Sequence, residues 1–220
     1  MLGRPVAIPR GDWPAHAARG VLIAAATICF FTALAVMPLA DAIAIFFIEP
    51  LLLSLLAGWF LGEGIGWRRL VAIAVGFAGA MLVVQPSFQA FGAYALLPLA
   101  AAGFFAVYLL LTRRLGAHCD AVTMQVTAGL GGLVFMSLVV ALGLVVEVPM
   151  LAWTAPSRWD WSLLVLLGLT AAIAHLLIVQ AFRRASAVVL APFQYLEIGA
   201  AVFGATSSSA TGRTRPPGAV

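Results

Sequence analysis

Seven long runs of apolar residues constrain this chain more than any other feature. They span roughly Gly20–Met37, Ala42–Leu61, Leu70–Val84, Gly92–Thr112, Val122–Val146, Trp161–Phe182 and Ala187–Ala205. A helix needs about 20 mostly apolar residues to cross a bilayer. Leu70–Val84 reaches that length only if Arg68, Arg69 and Gln85 lie at the two interfaces. The runs are apolar on every face, whereas membrane strands alternate polar and apolar positions. In lipid, a segment of this kind satisfies its own backbone only as a helix. Hydrophobic residues are 64% of the chain and charged residues 9%, too little polar surface to cover a water-facing globule. The expected fold is an all-α polytopic membrane protein with about seven transmembrane helices.

The segments outside the runs are polar. Met1–Arg19, interrupted by Pro5, Pro9, Asp12 and Pro14, is expected to be an N-terminal loop rather than a secretory signal. Thr206–Val220, with three serines and Arg213-Thr214-Arg215-Pro216-Pro217, is expected to be a disordered tail. Every basic residue is arginine. Nine of them (Arg4, Arg10, Arg19, Arg68, Arg69, Arg113, Arg114, Arg183 and Arg184) fall on one side of the membrane, and Arg158, Arg213 and Arg215 on the other. The arginine-rich side is therefore expected in the cytoplasm, which makes this a multi-pass protein of a bacterial-type inner membrane. The paired arginines mark topology and give no stripe of the kind nucleic acid binds. Cys29 and Cys119 lie at different depths and are expected to be free thiols.

Soluble-enzyme motifs are absent. No HExxH, CxxC, GxSxG or GxGxxG occurs, so neither enzymatic activity nor a cofactor or metal site is expected. The chain has no lysine, which excludes a retinal Schiff base.

Ionisable and polar groups within the runs carry the functional reading, because an intramembrane charge costs about 2.5–3.5 kcal/mol on insertion scales. Glu49 precedes Pro50, which cannot donate a hydrogen bond and leaves the Phe46 carbonyl open. Glu197 follows Pro192 and shares a helix face with Gln194. His175 lies in the sixth run, and Tyr108, Thr112 and Gln125 are further polar candidates for a cavity lining. A structural role, as a protonated carboxyl or neutral imidazole bonded to a neighbouring helix, competes with a cavity role for each of these. Glu63 and Asp120 read as solvated interface charges, and Asp41 as the N-cap of the second helix. Ala72, Gly76 and Ala80 form a small-residue packing stripe; Trp153, Trp159 and Trp161 form an interfacial belt.

The chain also repeats loosely. The joints Pro38–Ala42 and Arg183–Ala187 each open a helix with a proline in its first half. An odd number of helices separates the two hairpins, so they point oppositely, as in an inverted-repeat carrier. Several motifs carry a family resemblance in order and spacing: Ala33-Leu34 through Pro38-Leu39-Ala40-Asp41-Ala42, Ile48-Glu49-Pro50, Leu61-Gly62-Glu63, Arg68-Arg69, Gly76-Phe77-Ala78-Gly79 and Val84-Gln85-Pro86. Tyr108 to Arg114, Ala181 to Ala187, Pro192 and Tyr195 continue them. On these residues the chain resembles EamA-like members of the drug/metabolite transporter superfamily.

The resemblance implies two five-helix repeats and alternating access. The runs would correspond to the third through ninth of ten helices, as in a truncated member. Residues 20–86 would then be a partial first repeat of three helices and 92–205 a partial second repeat of four. It implies Glu49, Pro50, Tyr108, Pro192, Tyr195 and Glu197 as cavity candidates, beside the Gln125 and His175 read from the residues. The function expected is secondary transport of small metabolites or drugs, with the lipid bilayer and a small-molecule substrate as partners and no nucleic acid. The alternative is a non-transporting remnant, or a subunit that needs partner helices or self-association to cover its polar faces.

Overall fold

The computed structural model describes residues 10–64, 66–84, 91–146 and 155–196. A 3-10 turn, Arg10–Asp12, leads into α1 (Trp13–Leu34). Next come α2 (Leu39–Phe46), α3 (Glu49–Leu61) and α4 (Trp67–Val84). A second 3-10 turn, Gly92–Ala95, runs into α5 (Leu96–Leu115), which precedes α6 (Ala121–Val145) and α7 (Arg158–Arg184). The short α8 (Ala187–Leu190) continues as a 3-10 segment, Ala191–Tyr195. No strand occurs among the described residues. The protein is all-α and polytopic. Among the described residues, five stretches are long and apolar enough to cross a membrane: Trp13–Leu34, Leu39–Leu61, Gly92–Leu115, Ala121–Val145 and Arg158–Arg184. Within α4 the qualifying apolar stretch is shorter, Leu70–Gly79. The seventh run begins as α8, and its later part lies outside the described residues, as do most of the N-terminal segment and the whole 206–220 tail.

Two boundaries differ from the sequence expectation. The first helix starts at Trp13, so Trp13–Arg19 is helix and not loop. Pro14 in the first turn needs no backbone donor there, and the Ala-rich sequence that follows favours helix. The second run is not continuous either. It breaks between Phe46 and Glu49, and Pro38 rather than Asp41 occupies the N-cap of α2, with Asp41 inside the first turn. Asp120 is no idle interface charge: it caps α6, accepting from the Thr123 amide at 3.0 Å. Burial works against its carboxylate, but bonds from Thr123 and Val122 outweigh that and hold its pKa below the ordinary value.

Helix α1 is wedged between α5 and α6. Its crossing with α6 depends on glycine, since a Cβ on Gly20 would sit 2.6 Å from the Gly131 Cα. Small residues of this kind let backbones approach where no hydrophobic effect drives helices together. The main core joins Leu53 and Ala57 of α3, Ile73 of α4, Leu109 of α5, Ala128 of α6, Phe182 of α7 and Val188 of α8. By contrast, only Val179 and Phe182 of α7 are buried, and the helix presents apolar side chains such as Leu163, Leu166, Leu169 and Ile173 outward. Cys29 and Cys119 are both free thiols.

Candidate functional site

Two interrupted helices meet at the centre of the bundle. In the first, Pro50 cannot donate to the Phe46 carbonyl. The Ile48 amide turns back to Ile45 at 3.3 Å, α2 stops, and α3 restarts at Glu49. In the second, Pro192 follows α8 and the chain tightens into the 3-10 segment Ala191–Tyr195. The breaks touch: the Tyr195 hydroxyl donates to the Phe47 carbonyl at 3.2 Å, with the two rings 5.9 Å apart. Gly76 of α4 makes room for this contact, because a Cβ there would lie 2.9 Å from the Tyr195 ring. That gives the small-residue stripe on α4 a packing role at Gly76.

Beside the breaks lies a cavity of about 590 Å³. Its walls are apolar and rich in aromatic rings, with Phe30, Phe46, Phe47, Phe105 and Phe193 among them. Its polar side chains among the described residues are Thr27, Glu49, His175 and Gln194, and Pro50 also lines it. A smaller space of about 220 Å³ holds Tyr108, Gln125 and His175, so His175 borders both. His175 stands edge-on to the rings of Tyr108 and Phe105, at 6.0 and 6.3 Å. Buried polar atoms without a hydrogen-bond partner among the described residues include His175 Nδ1, Gln194 Oε1 and Gln125 Oε1. Buried polar atoms are normally satisfied, so unsatisfied ones facing a cavity point to water or a ligand. A larger groove of about 930 Å³ on α3 and α5 has walls such as Leu55, Trp59 and Phe104, and the Trp59 indole carries the one polar side-chain group among the described residues that line it. One donor offers little to orient a polar solute, and the smaller, more polar cavity is the candidate site.

The structure brings together Glu49, Pro50 and His175 at the main cavity, with Tyr108 and Gln125 at its neighbour. Tyr195 braces the break from outside the lining, and Pro192 sets the 3-10 turn beside it. Glu197 lies outside the described residues.

A residue that reads as a loop charge proves central. Arg19 is fully buried, and its Nε donates to Thr112 Oγ1 at 3.0 Å and its Nη1 to the Met124 carbonyl at 2.8 Å. The guanidinium also lies 5.0 Å from the Tyr108 ring centroid, with Nη2 3.5 Å from the Tyr108 hydroxyl. Among the described residues no carboxylate comes within ion-pair reach of it. Oxygen dipoles and an aromatic face stabilise the charge instead. Through Tyr108, which packs on His175, this cation backs the cavity wall. The sequence carries a signal for it: His16, Arg19, Ile23 and Thr27 follow helical spacing on one face.

Glu63 is also not a solvated charge. Its Oε1 pairs with Arg113 Nε at 2.8 Å, and its Oε2 accepts from the Val188 amide at 3.3 Å. Arg113 in turn donates to the Phe182 carbonyl at 3.0 Å. Arg183 reaches the Gly116 carbonyl at 3.4 Å and His118 reaches Asp12 at 2.8 Å. These bonds collect the arginine-bearing ends of α5 and α7, the start of α1 and the end of α3 at one end of the bundle.

Comparisons with known proteins agree with this architecture. The EamA-like transporter family matches residues 1–85. A riboflavin transporter of Vibrio cholerae is 31% identical over 74% of this chain and 52% of its own length. An S-adenosylmethionine uptake transporter of Rickettsia bellii is 29% identical, over 83% of this chain and 60% of that one. The pseudopaline exporter CntI of Pseudomonas aeruginosa is 30% identical, over 88% of this chain and 66% of that one. The chain thus spans between about half and two thirds of the length of these relatives. A solved crystal structure superposes with a TM-score of 0.68 at 21% identity, covering 96% of this chain and 71% of that one, a likeness of fold. Apolar helices broken at matching prolines, a cavity between them and this set of relatives converge: the chain belongs to the EamA-like transporter family.

Proposed function

We propose that this chain holds and moves a small metabolite across a bacterial inner membrane, by alternating access of two inverted repeats, with its arginine-rich end in the cytoplasm. One observation carries the reading: His175 Nδ1 and Gln194 Oε1 lack hydrogen-bond partners among the described residues where they border a cavity between two interrupted helices. Its volume of about 590 Å³ suits a small-molecule site. The aromatic walls favour a planar ring, and the polar groups fix its orientation. A riboflavin- or S-adenosylmethionine-like solute, each with a heteroaromatic ring, meets that description. Sequence motifs for nucleotide hydrolysis are absent, so an ion gradient or exchange would drive the movement. Glu49, and Glu197 by its sequence position, are the acids to which a proton could couple.

Flux of labelled riboflavin and S-adenosylmethionine in membrane vesicles tests this. Loss of one substrate hydrogen bond costs about 1.4 kcal/mol, or roughly tenfold in affinity. His175→Ala and Gln194→Ala are expected to raise the half-saturating concentration by about that factor. Glu49→Gln and Glu197→Gln are expected to slow gradient-driven flux while sparing exchange. Saturable flux unaltered by all four changes would remove the cavity from the mechanism.

A further inference from the structure

At the arginine-rich end, away from the cavity, Asp12 meets the adjacent His118 and Cys119, although His118 is 106 residues away in sequence. One carboxylate oxygen, one ring nitrogen and the thiol sulfur all lie within 4.8 Å of one another. His16, one helical turn beyond Asp12, adds a fourth group, its Nε2 lying 3.7 Å from the Cys119 sulfur. We propose that these four side chains form a binding site for a borderline divalent ion of the Zn²⁺ class, clipping the start of α1 to the turn between α5 and α6.

The hydrogen bonding around His16 argues for a ligand. The Thr127 hydroxyl spends its proton on the Thr123 carbonyl at 2.8 Å, so toward His16 Nδ1, also at 2.8 Å, its oxygen can only accept. That places the imidazole proton on Nδ1 and leaves a lone pair on Nε2, on a ring that is 1% exposed and faces the sulfur. A histidine whose far nitrogen is held in this way has the orientation and tautomer that metal-ligating histidines adopt. The other half of the site is equally fixed. His118 and Cys119 sit in a turn whose amides both bond to the Leu115 carbonyl, at 3.1 and 2.9 Å.

Three of the four groups already lie within 4.8 Å of one another, whereas His16 approaches only the sulfur and must draw in toward the other two. Zinc bonds of about 2.0–2.3 Å imply tetrahedral ligand separations of roughly 3.3–3.7 Å. The sulfur–imidazole distance already falls there. The Asp12–His118 contact, 2.8 Å as a hydrogen bond, must open slightly, and with side chains 26% and 46% exposed both can move. Mixed nitrogen, oxygen and sulfur ligands select Zn²⁺ or Co²⁺ over Mg²⁺ or Ca²⁺. Charge also balances. The Asp12 carboxylate and a Cys119 thiolate then cancel the two charges of the ion. Binding releases the thiol proton to solvent, and His118 keeps its proton on Nδ1 with Nε2 on the metal.

Titration of the full-length chain in detergent with Co²⁺, as a spectroscopic stand-in for Zn²⁺, provides the test. The expected result is a tetrahedral ligand-field spectrum with a sulfur-to-cobalt charge-transfer band, displaced stoichiometrically by Zn²⁺. Cys119→Ser should abolish the charge-transfer band, whereas Cys29→Ser should leave it intact. His118→Ala and Asp12→Asn, at partly exposed positions that should not disturb folding, should weaken binding by at least tenfold. Thr127→Ala, which touches no metal, should weaken it by about 10–100-fold through the orientation of His16. An octahedral spectrum without sulfur charge transfer, or Co²⁺ affinity unchanged in His118→Ala and Asp12→Asn, would overturn the proposal and leave a hydrogen-bonded staple.

Discussion

Arg19 shows how a single side chain can hold a membrane bundle together. Its charge is fully buried, and its donors are spread over α5 and α6. Two substitutions separate what the hydrogen bonds contribute from what burying the charge costs. Arg19→Ala leaves a cavity and removes the bonds to Thr112 Oγ1 and the Met124 carbonyl, and is expected to lose about 2 kcal/mol of stability. Arg19→Met fills the space without a charge to desolvate and should lie much closer to wild type. Thermal unfolding in detergent compares them; equal losses would mean that filling the space contributes nothing. The position could not be weighted correctly from sequence, because its partners Tyr108, Thr112 and Met124 are about ninety or more residues away. An arginine before an apolar run reads equally well as loop or as buried anchor.

At the level of helices, hydropathy located the five stretches long and apolar enough to span, and proline located the breaks. Pro50 and Pro192 each remove one backbone donor, an effect that depends on covalent structure alone. The α1 start is different in kind. Residues 13–19 are polar enough to pass for loop, and they become helix through the contacts that bury His16 and Arg19. Glycine spacing was likewise ambiguous, since Gly20 and Gly131 gain meaning only when their helices cross. There, Gly20→Val is expected to destabilise by about 1–3 kcal/mol, because the added atoms meet the α6 backbone and no flexible side chain can yield. Gly129→Val, at a position open to its surroundings, serves as the control and should be near neutral. Thermal midpoints of the pair give the comparison.

Across the whole molecule, the arginine-bearing ends gather on one face of the bundle, and the side of the membrane they occupy is open to direct measurement. Cys119 would be a poor reporter, being 3% exposed and with burial pushing its thiol pKa up, so it resists labelling from either side. Single cysteines at Gly64 and Ala155, both exposed, in a Cys29→Ser, Cys119→Ser background report cleanly. An impermeant maleimide on whole cells is expected to label position 155 and spare position 64. The reverse pattern would invert the proposed orientation.

The Glu63–Arg113 pair, with its bonds to Val188 and Phe182, spans the ends of four helices. Seen as part of a machine with two states, it acts as a bias on their populations. A partly buried, charge-assisted bond is worth about 2 kcal/mol, which is roughly a 30-fold ratio between a state that keeps it and one that breaks it. If the proposed alternation opens this end, the bond breaks once in each cycle and its strength biases how long the end stays closed. Glu63→Gln should lengthen the open interval, and a cysteine replacing cavity-lining Ala26 should then react faster with a reagent supplied from the arginine-rich side. Unchanged labelling would mean that the two states share the bond, and that the molecule pivots around it.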